Sequence, residues 1–305
     1  MALGSAEPVQ IYSGQGIARF AVNRRVNGAR TTVNKLTGEL KGPVDHSVPV
    51  IKVEKKSGEL MAVIFGYACH STTLSVNKWT GDYPGFAQSE LEKIYPGATA
   101  MFFAGAGADQ NPLPRRVLSY AIQYGKTLAA SVEAVLSEPM KKLSPELSTA
   151  YAEIDLSYGF PPPPDKEELL QIMSGQSSEP AYIRRRANII LNQMEDGKSP
   201  VTSCPYPVQF WRIGEQNLVI LGGEVVVDYS IRLKEIFGND LFVMAYANEM
   251  MGYIPSARIH SEGGYEGSRS AVNGIVFNRP WSSGTEITII KAVTDLAKKT
   301  GLILH

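Results

Sequence analysis

An apolar, β-rich hairpin followed at once by a helix constrains this chain more than any other local feature. Val48 to Glu54 alternates apolar and polar residues, Lys55-Lys56-Ser57-Gly58 reads as a turn, and Leu60 to Ala68 is again apolar; this pattern predicts two paired strands. The second strand delivers Cys69 and His70 at its end. Asp82 and Pro84 then read as a helix start, with Phe86, Leu91 and Ile94 apolar before Pro96-Gly97. A strand over Thr99 to Phe103 runs into the polar loop Gly105 to Pro112. Beyond it Leu118, Ala121, Ile122, Leu128, Val132, Val135 and Leu136 repeat at helical spacing. Strand, loop, helix, strand, loop, helix predicts an α/β protein whose polar residues gather in the loops after strands.

The second half extends the pattern after an excursion. Gly159 to Lys198 opens on Pro161-Pro162-Pro163-Pro164 and continues as a charged helical stretch with Arg184-Arg185-Arg186, which reads as a surface segment. The basic run is a solvated helix face or a substrate contact. Val208 to Ile213 and Leu218 to Leu221 form a second hairpin ending in Gly222-Gly223-Glu224. Leu241 to Ala245 is a further strand, Gly252 to Asn278 is loop-rich, and Ile287, Ile290, Val293 and Leu296 mark a last helix. Without repeats or low-complexity tracts, residues 1–305 are expected to form a single domain.

Composition excludes some functions. Thirty basic and thirty acidic side chains in 305 residues give a formal net charge of zero, so the long-range positive field needed for nucleic acid is absent. Cys69 and Cys204 are too few for a disulfide framework and lack the paired spacing of a structural zinc site. No apolar stretch approaches the roughly 20 residues that span a bilayer, and the N-terminus has no basic and apolar leader pattern. The chain as written therefore reads as soluble; an upstream signal segment would make it secreted or periplasmic.

Four residues have side chains suited to chemistry in these loops. His70 ends a strand where an α/β sheet keeps its site, and is either a metal ligand or a hydrogen-bonded structural residue. Glu224, between a hairpin strand and a helix, is either a ligand or a carboxylate satisfying free helix amides. Tyr253 and Tyr265 lie in Gly252-Tyr253-Ile254-Pro255-Ser256 and Gly263-Gly264-Tyr265-Glu266-Gly267. Such phenols either pack, or ligate a metal, or donate to an oxyanion.

Taken in order, these segments resemble the neutral and alkaline ceramidase family. His70-Ser71-Thr72-Thr73 resembles its His-Pro-Thr segment, whose histidine binds zinc. Gly81-Asp82-Tyr83-Pro84-Gly85-Phe86-Ala87 is similar to its Asp-x-x-Gly-Tyr-Ala helix start. Phe103-Ala104 through Asp109 to Pro112 resembles the loop with the family's serine. Gly223-Glu224, with Arg232-Leu233 in the following helix, resembles the zinc-binding glutamate segment. Tyr253 resembles the family's tyrosine ligand, and Tyr265-Glu266-Gly267 its Tyr-Glu-Gly, whose tyrosine supports the oxyanion.

The resemblance implies a mixed β-sheet core with helices packed on it, without a C-terminal immunoglobulin-like module. It also implies a Zn2+-dependent hydrolase of a linear amide, a ceramide-like lipid, acting through metal-activated water and touching membrane surfaces transiently. The ligands would be His70, Glu224 and Tyr253, with Tyr265 and Asn111 at the reacting centre and Asp82 or Asp109 orienting His70. Two features depart from the family. Its His-Thr-His-Ser-Gly-Pro segment, source of a first zinc histidine, has no counterpart here, so the chain is expected to be N-terminally incomplete; His46 is the one upstream histidine. Asn111 stands at the serine position, and an amide cannot act as a nucleophile. An inactive scaffold and a metal-dependent hydrolase of another amide or an ester are the alternatives.

Overall fold

The computed structural model describes residues 4, 6–27, 39–159, 165–174, 181–198, 202–269 and 280–303. Strands β1 (Val9–Ile17) and β2 (Ala21–Asn23) lead into the short helix α1 (Arg24–Asn27). The hairpin β3 (Ser47–Lys55) and β4 (Leu60–Tyr67) follows, then α2 (Asp82–Ile94), β5 (Thr99–Ala104), β6 (Gln110–Pro112) and α3 (Leu118–Ser137). Next come β7 (Lys141–Lys142), β8 (Leu147–Ser157), α4 (Lys166–Met173), α5 (Ala181–Glu195), β9 (Ser203–Ile213) and β10 (Gln216–Leu221). The remainder is β11 (Glu224–Val225), α6 (Val227–Phe237), β12 (Phe242–Met244), β13 (Tyr253–Ile254), α7 (Ala257–Glu262), a π-helical turn at Tyr265–Arg269 and α8 (Thr285–Lys299).

Both hairpins form where alternation predicts them, and they nucleate two mixed sheets. One has the order β5-β4-β3-β1-β7, the other β12-β10-β9-β8. Within each, the edge strand after a helix runs parallel to its neighbour: β5 beside β4 and β12 beside β10. Strand alternation then sorts side chains into layers. Val48 and Val50 on β3, with Val63 and Phe65 on β4, pack with Tyr83, Leu91, Leu128 and Val132 of α2 and α3. Their neighbours Ile51 and Ile64 point the other way, into a cluster with Leu218, Ile220 and Phe242 of the second sheet. On that sheet's far face Val219 and Leu221 pack with Leu233, Ile289 and Val293 of α6 and α8. The result is helices, sheet, sheet, helices, with both sheet faces apolar. The expectation of a mixed β-sheet core with packed helices holds, and the core is doubled.

β1, β2 and β8 were not expected. β1 carries Gly14 and Gly16, which read as breakers; an added Cβ at Gly14 would stand 2.6 Å from Val135 Cγ1, and at Gly16 2.6 Å from Ser131 Oγ. These glycines let α3 approach the strand. The segment Gly252 to Asn278, expected to be loop-rich, contains β13, α7 and the π-helical turn among its described residues. The surface excursion contains α4 and α5, which pack on each other through Leu169, Ala187 and Leu191; Pro161 to Pro164 lie outside the described residues.

One set of polar contacts joining the two halves centres on the part-buried Asp45. The Asp45 carboxylate accepts from Ser47 N at 3.0 Å and Ser47 Oγ at 2.6 Å. From α6 it accepts from Ser230 Oγ at 2.5 Å and Lys234 Nζ at 2.7 Å. Burial pushes this carboxyl upward, but the Lys234 ammonium and the hydroxyls outweigh it and hold the acid below its ordinary value.

Candidate active site

The C-terminal ends of the parallel strand pairs meet along one seam. Ala245 N donates to Ala104 O at 2.9 Å, and Ala108 N to Val225 O at 3.1 Å, so loops after β5, β10 and β12 are stitched by main-chain bonds. Glu224 and Tyr253 are paired residues of the parallel ladder β11–β13. Gly223, at φ 68°, makes the turn that brings Glu224 there. Gly107 lets the loop after β5 lie against the chain entering His70, because a Cβ would stand 2.3 Å from Ala68 C and 2.4 Å from Cys69 N.

Three predicted ligands come together in this seam. His70 Nε2 lies 3.5 Å from the Tyr253 hydroxyl and 3.8 Å from Glu224 Oε2. Its closest partner is the Ala108 carbonyl at 2.7 Å, while Nδ1 faces the Tyr246 hydroxyl at 3.4 Å. Tyr246 is held at φ 59°, in the left-handed region that side chains other than glycine rarely adopt. Burial, reinforced by the Arg24 charge, lowers the His70 pKa to about 4, so its contact with Glu224 is not an ion pair at neutral pH. Burial lifts the Glu224 carboxyl, against a hydrogen bond from Tyr253 and the Arg24 charge, and burial raises the Tyr253 phenol.

Ligands bound ~2.0–2.2 Å from one tetrahedral zinc stand about 3.3–3.6 Å apart. The Tyr253–His70 separation lies in that range and the Glu224–His70 separation just above it, while both are poor for direct hydrogen bonds. The donor set is therefore suited to zinc. A metal on Nε2 needs that nitrogen unprotonated, with the proton on Nδ1 toward Tyr246 and the Ala108 bond given up. Among the described residues no group of three or more His, Cys, Asp or Glu side chains gathers; the third donor is a phenol.

Arg24 is the site residue that the sequence did not reveal. β2 pairs antiparallel with β6, and Arg24 N donates to Asp109 O at 2.8 Å, so the guanidinium enters the seam at the strand's end. Nη2 donates to the Tyr253 hydroxyl at 3.0 Å and Nε to Glu266 Oε1 at 2.7 Å. Burial opposes its charge, but Tyr253 and Glu266 more than compensate and its pKa is raised. Arg25 Nη1 reaches the other oxygen of Glu266 at 2.6 Å, and the two arginines hold that acid low against its burial.

The remaining predicted residues occupy different depths. Tyr265 is half exposed, its ring edge-on to Tyr253 at 5.3 Å and 5.7 Å from the Arg24 guanidinium. Asn111 is fully buried in β6 opposite Val22, with no surface for a substrate to touch. The Asp109 carboxylate accepts from Val227 N at 2.8 Å and Asn23 Nδ2 at 3.1 Å, fixing the start of α6 and the end of β2. Burial lifts its pKa to about 6. Asp82, at φ 50°, accepts from the amides of Thr73, Leu74 and Tyr83 and so folds the loop after His70. Both aspartates bond groups other than the imidazole, whose orientation comes from the Ala108 carbonyl. Gln110, also missed, supports the strand end instead: its amide donates to Ala68 O and its main-chain carbonyl accepts from His70 N at 3.1 Å. His46 is engaged by the Ala21 carbonyl at 2.9 Å.

No family model and no curated relative matches the sequence. Solved structures do match. The crystal structure of neutral ceramidase from Pseudomonas aeruginosa aligns with a TM-score of 0.67 and 17% identity over 98% of this chain and 54% of that one. A ceramidase complexed with C2 aligns with a TM-score of 0.66 and 17% identity over 98% of this chain and 55% of that one. At that identity the likeness is one of fold: the paired sheets with their packed helices are ceramidase-like. This chain spans about half the length of each.

Proposed function

We propose that the seam is a zinc centre and that the protein hydrolyses a linear amide there. The observation that carries this reading is the approach of the Tyr253 hydroxyl and the Glu224 carboxylate to His70 Nε2, at 3.5 and 3.8 Å. The ceramidase-like fold agrees with it. His70, Glu224 and Tyr253 would hold the zinc, which when bound would supply Lewis acidity toward an amide carbonyl and a water molecule.

The chain's own residues do the rest. His70, uncharged at neutral pH because its pKa is lowered to about 4, offers a lone pair and not a proton. Arg24 fixes the Tyr253 hydroxyl by its 3.0 Å bond and places a buried positive charge where the carbonyl oxygen gains negative charge. Tyr265, with its exposed edge, is the hydrogen-bond donor proposed for that oxygen. Asn111, lacking exposed surface, is proposed as a positioning residue beneath the loop, together with Asp82 and Asp109. In the overall reaction the amide C–N bond breaks and a C–O bond forms to the water oxygen. One water proton ends on the departing amine and the other on the new carboxyl, which ionises.

The test is release of octanoate from N-octanoyl amides by zinc-reconstituted protein. Even outer-shell changes at metal centres cost ~10–100-fold, so Glu224→Ala should lower kcat/KM by at least about 100-fold with the fold intact by circular dichroism. Unaltered turnover in that variant would refute the assignment. A ceramide-like lipid is one candidate amide; the ground beside the seam favours another.

A further inference from the structure

Next to the seam lies a cleft of ≈ 430 Å³ walled by Arg24, Arg25, Arg258, Glu262, Tyr265 and Glu266. Arg24 and Tyr265 belong to both seam and cleft, so a substrate cleaved at the one extends into the other. The described lining carries three guanidiniums and two carboxylates, with Val26, Gly264 and Tyr265 as its uncharged members. An alkyl chain laid there would strip water from ionised groups and return little contact. The cleft is built for a charged group.

Its charges differ with depth. Glu266, with a side chain only 4% exposed, is clamped between Arg24 and Arg25 and is part of the wall. Glu262, at the end of α7 and 44% exposed, lies at the mouth. Its Oε2 accepts from Arg25 Nη2 at 2.9 Å and its Oε1 from Arg258 Nη1 at 2.9 Å, one planar carboxylate bridging two guanidiniums. Neither arginine depends on Glu262 for its place. Arg25 also donates to Glu266 and the Gly263 carbonyl, and Arg258 grips Asp228 with Nη2 at 2.9 Å and Nε at 3.1 Å. Gly263 and Gly264, both at positive φ, follow Glu262 directly and give its backbone freedom to turn.

We propose that Glu262 is an internal stand-in for a substrate carboxylate, and that the cleft selects linear amides bearing an anionic carboxylate, of the N-acyl amino acid class. Arg25 and Arg258 are the specificity-determining side chains, and Glu262 is the competitor that the substrate displaces. Charge-assisted pairing to two planar forks recognises a carboxylate by geometry as well as by sign. That the ligand is an amide rests on the function proposed for the seam; the carboxylate subsite rests on the cleft alone.

The test uses the full chain with N-octanoylglycine, its neutral isostere N-octanoylglycinamide, and N-octanoylsphingosine. Calorimetric binding to metal-free protein is measured beside hydrolysis by zinc-reconstituted protein. The glycine compound should bind about 10-fold more tightly than the glycinamide or the sphingosine amide. Arg258→Gln should erase that preference, and Glu262→Gln should strengthen binding of the glycine compound alone by several-fold. The exposed Glu262 keeps the test usable if Arg258→Gln fails to fold. Equal binding of the three probes, or weaker glycine binding in Glu262→Gln, would overturn the proposal. A preference in binding with no amide hydrolysed upholds the subsite and contradicts the amidase reading; equal kcat/KM for all three overturns the subsite and keeps that reading.

Discussion

Two part-buried polar clusters join the halves of this protein, and they are built on opposite plans. Around Asp45 every contact is a short hydrogen bond: Ser47, Ser230 and Lys234 all lie within 3.0 Å of one carboxylate. In the seam, the Tyr253 hydroxyl and Glu224 Oε2 stand 3.5 and 3.8 Å from His70 Nε2, too far for good bonds to the imidazole and close enough to share a central partner with it. The first cluster is closed and its electrostatics are settled within the chain, with Asp45 held acidic. The second is open, with burial driving His70, Glu224 and Tyr253 toward their uncharged forms. The first cluster is tied by bonds that hold the fold; in the second, the imidazole would have to exchange its 2.7 Å bond to the Ala108 carbonyl for a shared ion.

Substitutions can break that contrast, beginning with the largest effect. Lys234→Met leaves Asp45 buried without its cation and should cost about 3–5 kcal/mol in denaturant unfolding, with zinc content per folded molecule unchanged. A loss of zinc there would erase the distinction between the clusters.

The pH dependence of stability comes next, measured on metal-free protein. His70 is lowered from 6.5 to about 4, so its unfolded form takes up a proton first, and stability falls by about 3 kcal/mol as pH drops through that window. Asp109 is raised from 3.8 to about 6, so its contribution is fully present below 3.8 and disappears as pH rises through about 6. The two nearly cancel in the intact protein. In His70→Gln the imidazole's contribution is removed, so between pH 7 and pH 4 the variant should gain about 3 kcal/mol of stability relative to the parent. A variant curve parallel to that of the parent would contradict the lowered pKa of His70.

Gly107→Ala pushes the loop after β5 into the backbone at Ala68 and Cys69. The overpacking should cost about 1–3 kcal/mol and also weaken zinc binding, because it shifts His70. Glu224→Gln should alter stability by less than about 1 kcal/mol, since it removes a carboxyl that burial already disfavours. It should nonetheless remove zinc, separating function from stability at one residue.

What could be read from the sequence follows the range of the interactions. The hairpins β3–β4 and β9–β10 and the helices α2, α3 and α8 are written in local periodicity, and they form as expected. β8 was missed because its inward positions carry small residues such as Ser148, Ala150 and Ala152, and every position but Leu156 is exposed or part-exposed. β1 was missed because its glycines serve a close approach by α3 that no local rule shows. His70 and Glu224 are legible as residues at strand ends and Tyr253 as a phenol in a glycine-rich loop, and the fold brings them together. Arg24 is not legible: its partner Glu266 is 242 positions away, and adjacent arginines after a short strand look like any solvated pair. Asp82 and Asp109 were recognised as important carboxylates, but their bonds go to main-chain amides and Asn23, which shape the loops around the imidazole.

The most direct test of the central claim is zinc stoichiometry, measured by mass spectrometry on protein purified free of metal and then reconstituted and dialysed. About one zinc per chain in the parent, lost in Glu224→Ala and in Tyr253→Phe while both remain folded, is the predicted result. A parent that retains no zinc, or variants that retain as much as the parent, would show that the open cluster is not a metal centre.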